Sequence, residues 1–199
     1  STGLLNPINE VGRLCRDAGV PLLVDAVSSF AADKVDLRDS GITFLTTSSG
    51  KALACYPGLS FVLGGNQDFA RLAAYPVKNH YLNLARYYQV LQEEEQTPNT
   101  PAVSLVASLH TALREIHTEG LERRYRRLFE LAAHMRRQLS VRGLYTPPAK
   151  PQSVVLTNAR LPEKRSFAEI ERGLKAREFV VYDAKGPLKG HFFQVSTIG

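Results

Sequence analysis

Two short apolar runs, each leading to a charged residue, constrain this chain more than any other feature of it. The first, Val20-Pro21-Leu22-Leu23-Val24, ends at Asp25; the second, Ile42-Thr43-Phe44-Leu45-Thr46-Thr47, leads into Ser48-Ser49-Gly50-Lys51. Runs of this length, bounded by Gly and polar clusters, read as buried strands. The stretch between them is long enough for a crossover, expected here as a short helical one with an amphipathic piece around Val35–Ser40. A crossover connection sets its two strands side by side and parallel. Asp25 and Lys51 are therefore expected at the ends of neighbouring strands.

The flanks extend this pattern. Asn6 to Ala18 reads as a helix, with Asn6 as cap, Pro7 in the first turn and Ile8, Val11, Leu14 and Cys15 as an apolar stripe, and Gly19 ends it. Beyond Lys51, Leu59-Ser60-Phe61-Val62-Leu63 reads as a third strand, closed by Gly64-Gly65. Helix, strand, crossover, strand, strand is the order of an α/β layered sheet. After Asn66 the texture turns helical, over Asp68–Ala74, Tyr81–Glu95, Pro101–His117 and Glu119–Val141. The Pro-rich segment Tyr145–Pro151 then reads as a linker or turn. A compact α+β unit follows, with strands Ser153–Thr157, Phe179–Tyr182 and His191–Val195 and a helix Phe167–Ala176. The division expected is 1–100 for part of a large domain with its connecting helices and 101–199 for a smaller C-terminal domain.

Composition excludes several classes of function. The 199 residues include 44% hydrophobic and 22% charged, the balance of a soluble globular chain. No run approaches the ~18 apolar residues of a membrane span. Cys15 and Cys55 have no C-x-x-C spacing, so neither a disulfide framework nor a zinc site is expected, and a cytoplasmic setting is the default. The net charge of +6 comes largely from Arg114 to Arg142. Without aromatic interleaving, those arginines read as the solvated side of a helix whose other side carries Leu121, Leu128, Leu131 and Leu139, and not as a nucleic-acid face. The chain starts without Met and stops just after a strand-like run, so both ends look cut from something longer.

Lys51 carries the chemistry. Small residues flank it and apolar Ala52, Leu53 and Ala54 follow, so a buried, desolvated amine is expected, its pKa lowered toward the neutral nucleophile. A lysine so placed suits a Schiff base with an aldehyde cofactor, and a neighbouring aspartate suits holding that cofactor's ring nitrogen protonated. Two other motifs overlap the same string. A phosphate-binding P-loop fails because Leu45 replaces its first Gly and Ala52 its final hydroxyl residue. Ser48-Ser49-Gly50-Lys51 spells the S-x-x-K of serine–lysine acyl enzymes, whose S-D-N and K-T-G partners are absent, leaving that hydrolase a distant alternative.

Three segments make a specific resemblance: Ser1-Thr2-Gly3-Leu4-Leu5-Asn6-Pro7, Val24-Asp25-Ala26-Val27-Ser28-Ser29-Phe30 and Ser48-Ser49-Gly50-Lys51-Ala52-Leu53. Together they resemble the class V aminotransferases of the pyridoxal-phosphate fold type I superfamily, most of all the 2-aminoethylphosphonate–pyruvate transaminase branch and then the alanine–glyoxylate branch. Weaker likeness continues through Thr97-Pro98-Asn99-Thr100-Pro101 to Phe193-Gln194-Val195-Ser196-Thr197-Ile198-Gly199. The resemblance implies part of that superfamily's large, mainly parallel α/β domain plus a small C-terminal α+β domain. It implies pyridoxal 5'-phosphate as cofactor, with Lys51 forming the internal aldimine and moving the proton. It also implies Asp25 on the pyridinium nitrogen, Val27 on a ring face, and Thr100 reaching the cofactor phosphate of the neighbouring subunit in a homodimer with a shared active site. The reaction implied moves an amino group from an amine donor, 2-aminoethylphosphonate or a small amino acid, to a 2-oxo acid such as pyruvate. No membrane or nucleic-acid partner goes with it.

Three departures accompany the likeness. The family's glycine-rich phosphate loop and ring-stacking aromatic lie upstream of Ser1. Gly50 stands where relatives carry Asn or Gln. Gln194 stands where an arginine grips the substrate's acid group, so Gln194 is the expected substrate-binding residue. Exchanging a charged contact of about 1.5–3 kcal/mol for a neutral one weakens acid binding by one to two orders of magnitude. A weakened or non-enzymatic homologue acting as a fold or dimerisation module is the alternative those departures motivate, and a pyridoxal-phosphate lyase is a third.

Overall fold

A computed structural model describes residues 2–198. Ser1 and Gly199, the outermost residues of two of the motifs above, lie outside the described residues. The chain forms two compact units. One comprises Pro7–Val27 with Val35–Arg114, and the other Ser1–Asn6, Ser28–Lys34 and Glu115–Gly199.

In the first unit, helix α1 (Ile8–Asp17) precedes strands β1 (Leu23–Asp25), β2 (Phe44–Ser48) and β3 (Ser60–Gly64). They form one sheet in the order β1-β2-β3. β1 runs parallel to β2 in the register Leu23↔Phe44, Val24↔Leu45, Asp25↔Thr46. β3 returns antiparallel, with Ser48 opposite Ser60 and Phe44 opposite Gly64. β2 is the buried strand, with Leu45 0% and Thr47 2% exposed. Helices α2 (Asn66–Arg71), α3 (Leu84–Glu94) and the start of α4 (Val103–Glu119) complete the unit. A Cβ at Gly64 would stand 2.6 Å from the Phe44 ring, so glycine there lets that ring lie over the strand. Phe44 in turn meets Phe69 edge-on at 5.1 Å, and Phe69 stacks on Tyr88 at 5.5 Å. Aromatic pairs in these geometries add to area burial, and this chain of rings fixes α2 and α3 against the sheet.

Two expectations change here. The segment between β1 and β2 consists of turns, with no helix among the described residues. Ala31 takes a left-handed backbone with φ 65°, and the Asp36 carboxylate accepts from the Arg38 and Asp39 N–H groups, forming a local turn in place of a helix. Helix α1 also begins later than expected: Pro7 holds the cap position and no side chain caps it. Its buried residue is Gly12, where a Cβ would stand 1.7 Å from the Ser40 carbonyl oxygen; Val11 and Leu14 are exposed.

The second unit is built on helix α5 (Leu121–Val141), strand β4 (Leu156–Arg160), helix α6 (Phe167–Lys175), and strands β5 (Tyr182–Asp183) and β6 (Phe192–Ser196). The sheet order is β4-β6-β5, all antiparallel. Its helix-facing side buries Ala159, Val181 and Phe193, packed by Leu139, Phe167 and Leu174. Ser166 and Glu169 close a reciprocal capping box at the start of α6. The α5 expectation needs correction: Arg124, Leu128 and Ala132 form the buried stripe, while Leu121 and Leu131 are exposed. Arg124 is tolerated inside because its Nε donates to the Ala31 carbonyl at 3.1 Å and its Nη1 to Glu119 at 3.1 Å. Arg127 holds the same carboxylate at 2.5 Å. Arg127 first, and Arg124 with it, keep the Glu119 carboxyl below the usual carboxylate range against an opposing effect of burial.

Strand β4 begins three residues later than the apolar run suggested. Ser153, Val154 and Val155 are buried, yet the Val154 N–H donates to Asp33 at 3.0 Å and the Ser153 hydroxyl donates to the same carboxylate. A buried side chain has taken the hydrogen bond that a strand partner would have supplied. The Gly3–Leu5 segment runs alongside, with Ser153 N–H on the Gly3 carbonyl at 3.0 Å and Leu5 N–H on that of Pro151 at 3.0 Å. Among the described residues no helix is long and apolar enough to cross a membrane.

Candidate active site

The parallel pairing of β1 and β2 decides where the chemistry can sit. Asp25 is the last residue of β1 and lies opposite Thr46; Lys51 follows three residues after the end of β2. Ligands of open α/β sheets bind beyond the carboxyl ends of the strands, where both residues lie. The Asp25 Oδ1 accepts the Val27 N–H at 2.9 Å, and the Ala26 N–H continues the ladder to the Thr46 carbonyl at 2.9 Å. One carboxylate oxygen of Asp25 caps the turn after its strand. Among the described residues Oδ2 takes no other partner, and Val27 is half-buried two residues on.

Lys51 differs from its expected setting. Its side chain is exposed, while the next two residues, Ala52 and Leu53, are 0% and 4% exposed and anchor the loop. Burial was read from those flanks, but consecutive loop residues need not face the same way. Among the described residues the Lys51 amine makes no hydrogen bond or ion pair. Gly50 has a steric reason to be glycine, since a Cβ there would stand 2.8 Å from the Pro57 Cβ and 2.9 Å from its Cα. Any side chain at position 50, including the Asn or Gln of the resemblance, would require Pro57 to move.

Thr100 is exposed and precedes helix α4 by three residues. The segment before it is fastened to α3. Arg86 Nη2 donates to the Pro98 carbonyl at 3.4 Å, Asn99 Nδ2 to the Tyr87 hydroxyl at 3.3 Å, and the Thr97 hydroxyl to the Asn99 carbonyl at 2.8 Å. Sequence reading missed Arg86, Tyr87 and Asn99 because they bond across a turn with no periodic signature.

Gln194 belongs to the second unit, on the central strand β6, and is 7% exposed. It lies opposite Asn158 on one side and Tyr182 on the other. Its Nε2 donates to Asn158 Oδ1 at 3.2 Å, and Asn158 Nδ2 donates to the Thr2 carbonyl at 2.7 Å. A buried amide held in this way presents a fixed neutral polar group. Among the described residues no three His, Cys, Asp or Glu side chains are grouped to hold a metal ion.

The sequence matches the family model "Aminotransferase class-V" over residues 1–169. The chain belongs to the class-V aminotransferase family. It is 32% identical to an uncharacterized aminotransferase of Methanocaldococcus jannaschii, over 100% of this chain and 52% of that protein. It is also 32% identical to the 2-aminoethylphosphonate–pyruvate transaminase of Paraburkholderia phymatum, over 100% of this chain and 54% of that one. Among solved structures it superposes on alanine–glyoxylate aminotransferase from Nostoc sp. with a TM-score of 0.91 and 27% identity, covering 100% of this chain and 54% of that one. Pyridoxamine–pyruvate aminotransferase from Mesorhizobium loti gives 0.87 at 25% identity, over 98% and 51%. The fold is therefore that of the pyridoxal-phosphate-dependent aminotransferases of fold type I. The chain spans about half the length of the curated relatives it matches.

The family's cofactor can be tested against the residues present. Among the described residues, an exposed amine without a competing partner stands beyond one strand end, and a carboxylate with one committed oxygen ends the adjacent strand. Those are the groups an aldehyde and a protonated ring nitrogen need, so this half of a pyridoxal-phosphate site fits.

Proposed function

We propose that the full-length protein is a pyridoxal-phosphate-dependent transaminase. It moves an amino group from an amine donor, 2-aminoethylphosphonate or a small amino acid, to a 2-oxo acid such as pyruvate. The observation that carries this is the register pairing Asp25 with Thr46, which ends β1 beside the strand leading to Lys51. When bound, pyridoxal phosphate supplies an aldehyde and a protonated ring that draws electrons from the reacting carbon. Lys51 Nζ would hold the aldehyde and, once the donor's amine had displaced it, would take the proton from the carbon bearing that amine. Asp25 Oδ2 would receive the ring N–H, with Oδ1 kept in place by the Val27 N–H. Val27 would pack on one ring face. Gln194 contacts the substrate's acid group, and its neutrality favours a weaker hold on that group than an arginine gives.

The working protein in this reading is a cytoplasmic homodimer in which Thr100 reaches the cofactor phosphate bound by its neighbour. Residues 1–100 then belong to the large cofactor domain and 101–199 to the small one. The relatives above that carry an activity in their names are aminotransferases, which favours amino transfer over the lyase and non-enzymatic readings. The test is product analysis with the full-length protein, cofactor, pyruvate and 2-aminoethylphosphonate or alternative small amino acids. Alanine formed in step with loss of the donor's amine is the expected outcome. Release of ammonia without alanine would replace amino transfer by a lyase reaction.

A further inference from the structure

We propose that Ser49 is the positioning residue for the Lys51 amine, an inference that rests on reading Lys51 as the cofactor lysine. Ser49 is 0% exposed, so its hydroxyl is turned inward. It donates to the Tyr56 carbonyl at 2.7 Å and accepts the Leu59 N–H at 3.2 Å. The Ser49 backbone repeats this grip: its N–H donates to the Leu59 carbonyl at 3.1 Å, and its carbonyl accepts the Cys55 N–H at 3.3 Å. One residue therefore closes the loop from 49 to 59 on itself with its N–H, its carbonyl and its hydroxyl.

Lys51 lies inside that closed loop. On its N-terminal side Gly50 is pressed against Pro57, and on its C-terminal side the Lys51 carbonyl accepts the Ala54 N–H at 2.9 Å. Ala54 takes a left-handed backbone with φ 54°, which reverses the chain toward the strand β3. The far side of the loop is braced by α4: Leu105 fills the space where a Gly58 side chain would lie, and the Cys55 thiol donates to Ser108 at 3.5 Å. An exposed lysine has rotamer entropy to lose on reaching one geometry. Fixing its backbone leaves only the side chain to be ordered. The Ser49 hydroxyl, bonded to both Tyr56 and Leu59, ties the approach to Lys51 to the chain that leaves it.

The experiment uses full-length Ser49→Ala and Ser49→Cys beside the wild type. Cysteine is nearly isosteric and keeps the packing while weakening both hydrogen bonds. Cofactor-free protein is mixed with pyridoxal phosphate, trapped with borohydride at timed intervals and mapped for label on Lys51. Amide exchange at Leu59 and acetylation of Lys78 and Lys189 by trace acetic anhydride are followed in parallel. The proposal expects Ser49→Ala to capture pyridoxal phosphate at Lys51 at least tenfold more slowly, with Ser49→Cys in between. Leu59 exchange should accelerate and the two control lysines should react as before. Capture by folded Ser49→Ala within twofold of wild type, while Leu59 exchanges faster, would overturn it: the loop would have opened without consequence for the lysine. Wild-type protein labelled on a different lysine would instead sink the underlying reading of Lys51 and this proposal with it.

Discussion

Gly50 offers a sharp stability test, because the same chemical change elsewhere in the chain has the opposite expected sign. In Gly50→Ala the new methyl would stand 2.8 Å from the Pro57 Cβ and 2.9 Å from its Cα. Ordinary contacts between such carbons lie at about 3.5–4.0 Å, and the second of these atoms is backbone. Pro57 must therefore shift, pulling on the Tyr56 carbonyl that Ser49 holds. Overpacking of this kind costs about 1–3 kcal/mol. The control is Gly173→Ala, within helix α6, where an added Cβ would meet nothing within 4 Å. There alanine should stabilise by about 0.4–1 kcal/mol through the unfolded chain and helix propensity. The two variants should differ by about 1.5–4 kcal/mol, the sum of those effects. Urea unfolding of the full-length protein without cofactor measures both. Gly50→Ala equal in stability to Gly173→Ala would refute the steric account of position 50.

Three further outcomes follow from specific contacts. Arg124→Ala should destabilise by about 2–4 kcal/mol, because it strips a buried carbonyl at Ala31 and half of Glu119's pairing; a loss below about 0.5 kcal/mol in urea unfolding would contradict this. The Glu119 carboxyl is held below its ordinary range in the folded state, so its contribution is present at neutral pH and is lost as acid protonates it. The stability gap between wild type and Glu119→Gln should then narrow as pH falls below about 4, and a gap constant from pH 7 to 3 would count against the pairing. Asp25→Asn keeps an acceptor for the Val27 N–H and removes the negative charge. Cofactor affinity, read by titration of absorbance, should weaken about tenfold to a hundredfold, and unchanged affinity would remove Asp25 from the site.

How much of this was legible in the sequence varied with the kind of signal. The three strands of the first sheet were readable because apolar runs with turn signals at their ends have few other folds. The strand-end placement of Asp25 and Lys51 is legible for the same reason, since strand ends are local. The crossover was misread as helical because its turns are set by a left-handed Ala31 and an Asp36 side chain, neither of which breaks an apolar period. The buried face of α5 is hard to read because its first member is an arginine, made acceptable inside by the Glu119 carboxylate and by a carbonyl 93 positions away in sequence. Asp33 shortened β4 by a similar long-range bond, invisible without the fold. Lys51 itself was expected to be buried, and its exposure came from the direction of one loop residue.

The central claim is that the amine of Lys51 holds the cofactor. Borohydride reduction of the full-length, pyridoxal-phosphate-loaded protein, followed by peptide mass spectrometry, tests it directly. The account predicts a single phosphopyridoxyl group on the peptide containing Ser49-Gly50-Lys51-Ala52. Label on another lysine, or none at all in protein that remains folded, would contradict it.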